Sequence, residues 1–85
     1  MTDIELGMQL EDMIHSDAWA HVEEWIRYKE ERAKKDLATK NFIDISEVKV
    51  LQERLKAFSE LRGEITDRIR RGKEAKQKLE AKGQV

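Results

Sequence analysis

Two histidines, 18 carboxylates and a short run of arginines are the groups through which this 85-residue chain might do chemistry. A zinc site gathers three or four His, Cys or carboxylate ligands at close spacing. His21-x-x-Glu24 and His15-x-x-x-Trp19 supply no second histidine, and the chain has no cysteine. Asp12 with His15, and His21 with Glu24 or Trp25, are simply one turn apart, a spacing that acidic helices produce freely. No Ser–His–Asp order, P-loop or glycine-rich phosphate loop occurs, and no two of the 18 acids stand out as an acid–base couple. The expectation is therefore no enzyme, no cofactor, no metal and no small-molecule substrate.

Two other constellations point to binding. Arg68, Arg70, Arg71 and Lys73 surround Ile69 in a basic cluster of the kind that meets phosphates. Asp67 and Glu74 flank it and the formal charge of the whole chain is −1, so a solvated or internally paired helical face is favoured over DNA or RNA contact. Trp25 and Tyr28 form the second. They lie at the edge of an apolar stripe, either as the margin of the core or as aromatic anchors for another chain.

These residues sit on helices whose organiser is Val48 to Leu79. Its inward positions are Val48, Leu51, Leu55, Phe58, Arg62, Ile65, Ile69, Gly72, Lys76 and Leu79. The alternation of three and four is a heptad repeat, cleanest from Val48 to Phe58. One long helix over 45–82 is predicted. Upstream, Ala18 to Thr39 reads as a helix over 17–39, anchored by Trp19, Val22 and Ile26 with Ala33 and Leu37 beyond. Glu23 with Arg27, Glu30 with Lys34 and Glu31 with Lys35 are i,i+4 pairs in the favourable order. Residues 40–44 form the turn, with Asn41 the candidate for a left-handed conformation. Asp44-Ile45-Ser46-Glu47 has the form of a capping box, and Ile43 with Val48 of its hydrophobic staple.

The N-terminal segment 2–15 repeats this logic. Thr2-Asp3-Ile4-Glu5 is a capping box, with Met1 and Leu6 placed as a staple. Leu6, Leu10, Met13 and Ile14 share one face of a helix, while Ile4 and Met8 fall on another. Ile4, Leu6, Met8 and Leu10 also alternate as a strand would, but the cap favours helix. The apolar stripe rotates by about a third of a circle near His15-Ser16-Asp17. Either one helix changes partner there or, as favoured, the helix breaks or kinks and Ser16 caps the next.

A short connection makes 17–39 and 45–82 an antiparallel hairpin. Folding it about residues 42–43 sets Leu37 beside Val48, Ile26 near Phe58, and Trp19 near Ile65 and Ile69. The core is then Trp19, Val22, Ile26, Leu37, Val48, Leu51, Leu55, Phe58, Ile65 and Ile69. Residues 2–15 reach the level of 70–83. There the five acids and no Lys or Arg of residues 1–17 face the seven bases and three acids of residues 66–85. Gly72 lies on the seam, where it would admit the indole of Trp19. Gly63 lies off it, where a second backbone would approach. Drift on a long helix explains either glycine equally well.

Charged residues make up 41% of the chain and proline is absent, as suits long helices and coiled coils. The length allows one domain at most, with a core thin enough that partner chains or a homo-oligomer are expected. Met1 to Leu10 has no basic region of a signal peptide, and no apolar run approaches the ~20 residues of a membrane span. No membrane association is expected.

Ser16-Asp17-Ala18-Trp19, and later Leu61-Arg62-Gly63-Glu64-Ile65, resemble small helical proteins of tailed bacteriophages encoded among head and packaging genes. The similarity spans residues 16–70 and leaves out the acidic start and the lysine-rich tail. It carries over no catalytic residue. It implies a structural protein of the virion or of head assembly, docked on larger proteins in several copies and located in the virion; without it the expected location is cytoplasmic. The whole reading is all-α: a long antiparallel, coiled-coil-like hairpin with an additional N-terminal helical segment, acting as a structural or protein-interaction module. A small helical inhibitor or adaptor of a host protein, a nucleic-acid-binding accessory using 68–73, and a regulatory coiled-coil dimer are the other classes. Whether the hairpin closes within one chain or swaps between two is open at this level.

Overall fold

Thr2 begins the first helix as its spacing from Glu5 requires. Its Oγ1 accepts from the Glu5 N–H at 3.1 Å, and Asp3–Ile14 follows as α1 in a computed structural model that describes residues 1–39 and 45–83. Met1 is 80% exposed, so the staple expected with Leu6 does not shield it.

The break at 15–17 is real and turns on one hydroxyl. Ser16 Oγ donates to the Met13 carbonyl at 2.6 Å, closing α1, and accepts from the Trp19 N–H at 3.1 Å, opening α2 (Asp17–Thr39). Two sets of orphan backbone groups are thus satisfied by one side chain. The long helix α3 runs Ile45–Gly83. Its 39 residues account for nearly all of the 65 Å long axis, since each adds about 1.5 Å. The turn at 40–44, with Asn41, Ile43 and the Asp44 cap, lies outside the described residues. Among those described, all regular structure is helical.

The hairpin closes within one chain in the register expected. Trp19 lines a cavity with Ile65 and Thr66, Glu23 bonds Arg62, and the Trp25 ring meets Phe58, so numbers fall along one helix as they rise along the other. The core between α2 and α3 is narrow. Ile26 and Ala33, each 2% exposed, are the buried apolar side chains among the described residues. Trp19, Leu37, Val48, Leu51, Leu55, Phe58, Ile65 and Ile69 are half-buried. Val22 departs from its expected place in the core and is 40% exposed, because two helices cover only a narrow stripe and no third lies over its side. The seam arginine is explained by its partners: Arg62 reaches both Glu23 and Glu30 across the hairpin, at 2.8 Å and 2.6 Å.

The α1 helix packs antiparallel on the far half of α3, with Ile14 beside Ile65 and Gly7 against Gly72. A Cβ on Gly72 would lie 2.8 Å from the Asp3 carbonyl oxygen and 3.0 Å from Gly7 Cα. The two backbones therefore touch, and Gly72 admits a helix rather than the Trp19 indole. Gly63 meets no atom within 4 Å, so no second backbone approaches it in this chain.

Because the seam side chains are half-buried, Phe58→Ala should cost about 1–3 kcal/mol, less than the 3–5 of a fully buried phenylalanine. In a domain of this size that lowers the thermal midpoint by roughly 5–20 °C. Circular dichroism melts would measure it; an unchanged midpoint would mean that the heptad is not the core.

Candidate interaction surface

The aromatic flank is built on α2. Trp25 stands one turn before Tyr28–Lys29, on the side of the helix beside the seam. Its ring packs edge-on against Phe58 with centroids 6.3 Å apart and planes at 87°, the geometry that aromatic quadrupoles prefer. That contact fixes one edge only, and Trp25 remains 53% exposed. Lys29 Nζ lies 5.5 Å from the Trp25 ring centroid and 6.0 Å from that of Tyr28, in cation–π range. Tyr28 is 56% exposed, and its hydroxyl accepts from Arg32 at 3.3 Å. Both aromatics thus stand oriented by neighbours yet open to solvent, as sequence spacing placed them at the margin of the stripe.

The basic cluster is arranged differently. Arg70 bridges Asp67 and Glu74 at 2.6 and 2.7 Å, Arg71 bonds Asp67 at 2.8 Å, and Arg68 bonds Glu64 at 2.6 Å, all within α3. The hydrogen bond from Arg70, aided by the charges of Arg71 and Arg68, holds the Asp67 carboxyl below the usual carboxylate range. The acids that flank the cluster in sequence are therefore its partners in space. Lys73, by contrast, turns to α1 and meets Glu11 at 3.3 Å. The complementary chain ends are joined through that pair, with Arg68 also in the field of Asp3, and the ion pairs of Arg70 and Arg71 lie within α3.

The histidines stand apart. His15 Nδ1 lies 2.8 Å from the Glu11 carbonyl oxygen at the end of α1, and His21 is exposed on α2 beside Glu24 and Trp25. Among the described residues no three His, Asp or Glu side chains converge as metal ligands. None of the described helices is long and apolar enough to cross a membrane.

Two features of this surface escape a reading by residue type. Leu61 and Val50, off the heptad seam, are 44% and 58% exposed. The signal was available in their spacing: Val50, Leu61 and Gly72 recur every eleven residues, about three turns, and so share one line along α3. No protein-family model, curated protein or solved structure matches the chain.

Proposed function

We propose that this chain is a non-enzymatic helical interaction module that docks on protein through the flank of Trp25 and Tyr28. The role we assign it is the one the resemblance implies, a structural or head-assembly component of a tailed bacteriophage acting in several copies. The observation that carries the docking is Trp25 itself. An indole pinned at one edge by Phe58 and half open to solvent has little rotamer freedom left to lose and a large apolar area to bury, which is how aromatic anchors contribute to interfaces. The arginine cluster speaks less for a nucleic-acid role, since the donors of Arg68, Arg70 and Arg71 are engaged by acids of their own helix.

The test is to quantify the protein in purified phage heads and their precursors. Under this reading it is present at a fixed copy number. The double variant Trp25→Ala, Tyr28→Ala stays helical and binds about 30-fold more weakly or worse, with little dependence on salt. The triple variant Arg68, Arg70, Arg71→Gln keeps its place. Absence from heads with tight binding to a host protein would instead make it an inhibitor or adaptor. DNA binding that falls steeply with salt and disappears in the arginine variant would put the nucleic-acid reading in its place.

A further inference from the structure

We infer that the first partner of this surface is a second copy of the chain, related by a two-fold axis through the line of Val50 and Leu61. The inference rests on the reading of the Trp25 flank as an interface and names what covers it.

The line along α3 is covered over only part of its length. At Gly72 the α1 helix lies directly on it, backbone to backbone. One repeat earlier stands Leu61, and two repeats earlier Val50, both exposed. Trp25 and Val22 flank this open half from α2, since antiparallel pairing brings the same side of both helices together and Trp25 touches Phe58 there. The open half thus has the apolar character of the covered half and lacks the helix that covers it. A pair of helices is one layer, and helical domains bury their apolar side against a second.

Surface area says how much is missing. A compact monomer of 10.0 kDa exposes roughly 5,200 Å², whereas this chain exposes 6,921 Å². The difference of about 1,700 Å² is more than the ~800 Å² that each partner contributes to a standard interface. The radius of gyration of 18.3 Å, against about 12 Å for a compact chain of this length, locates the excess in an elongated layer.

Charge says why the partner is the same chain. The open half is bounded by Asp12 and Asp17 at the α1–α2 corner and by Arg32 and Arg54 toward the other end, all exposed. A two-fold axis across the line lays the acidic corner of one copy toward the basic end of the other, so one patch serves both sides of an isologous contact. The net charge of −1 leaves two copies with little mutual repulsion.

Light scattering and sedimentation equilibrium on the full chain test this. The parent should show twice the 10.0 kDa chain mass at micromolar concentration. Leu61→Lys and Val50→Lys, at positions exposed within the chain, should keep the circular dichroism spectrum and revert to the single-chain mass, with dimer affinity lowered at least about 10-fold. Ile45→Lys, equally exposed but on the opposite side of α3, should leave the dimer intact. A parent that stays at the single-chain mass up to about 200 μM would overturn the proposal, as would a Leu61→Lys variant that dimerises like the parent. Docking of the monomer on head proteins through Trp25 would survive either result, so the two readings fail separately.

Discussion

Gly72→Ala is expected to release α1 from α3, while the same change nine residues earlier, Gly63→Ala, is expected to stabilise the protein. In isolation both replace glycine with the best helix former inside a long helix, a gain of about 0.5–1 kcal/mol. Their surroundings reverse the sign at one of them. At Gly63 a Cβ meets nothing within 4 Å and the propensity gain stands. At Gly72 the Cβ would press on the Asp3 carbonyl oxygen at 2.8 Å and on Gly7 Cα at 3.0 Å. Those are backbone atoms of a helix and have no rotamer through which to yield. Overpacking of this kind costs about 1–3 kcal/mol and sometimes more.

α1 has little with which to absorb that cost. It is 12 residues long, too short to persist as an isolated helix. Its apolar side chains Ile4, Leu6, Leu10, Met13 and Ile14 are only half-buried. Hydrogen exchange should therefore show protection of residues 4–14 falling by about 10- to 150-fold in Gly72→Ala, the range that 1–3 kcal/mol implies, with α2 and the rest of α3 retained. Equal behaviour of the two glycine variants would mean that α1 does not dock where the backbone contact places it.

That contrast also shows what sequence pattern conveys and what it cannot. The heptad from Val48 to Phe58 conveys the register of the hairpin, because side-chain period and a short connection leave one way to lay apolar on apolar. The Ser16 cap and the Thr2–Glu5 cap are equally legible, since each is a local bond between residues three apart. Gly72 is legible as a close approach but not as to which helix approaches. Trp19 and α1 both lie within reach of it along the chain, and only the crossing geometry decides between them. Val22 shares the stripe of Ile26 yet is exposed, since a helical wheel gives direction and says nothing of how wide a partner is. Trp25 and Tyr28 could be placed at a margin by spacing alone, whereas the edge-on contact with Phe58 that orients Trp25 is a property of two helices together. The bases at 68–71 look like a patch in a list of residues and are an ion-paired face in space, because Glu64, Asp67 and Glu74 stand one turn from them.

Arg62→Ala is expected to destabilise the hairpin by about 2 kcal/mol, although Arg62 occupies a seam position where an apolar residue is the rule. Its Nε and Nη2 bond Glu23 Oε1 at 3.0 and 2.8 Å, and its Nη1 bonds Glu30 Oε2 at 2.6 Å. Glu30 is 14% exposed, Glu23 22% and Arg62 33%. Removing one partner of a buried ion pair costs about 3–5 kcal/mol because a desolvated charge is left behind. Partial exposure and solvent screening bring the figure down here, since fully exposed pairs contribute at most about 1 kcal/mol. What remains in Arg62→Ala is two carboxylates turned toward the seam, with Arg27 still 3.5 Å from Glu23 and Glu30 deprived of its cation. The measurement is a double-mutant cycle of Arg62→Ala with Glu30→Gln, melted at one protein concentration so that association does not vary. A coupling of about 1–2 kcal/mol is expected, with Glu30→Gln offsetting part of the loss. A second variant isolates the reason for the triad. Arg62→Leu with Glu23→Leu and Glu30→Leu replaces ions by apolar volume, a change that is often neutral or stabilising. It should melt no lower than the parent, which would assign the three charges to holding one register of the hairpin rather than to raising its stability. A zero coupling in the cycle would remove the triad from the account altogether.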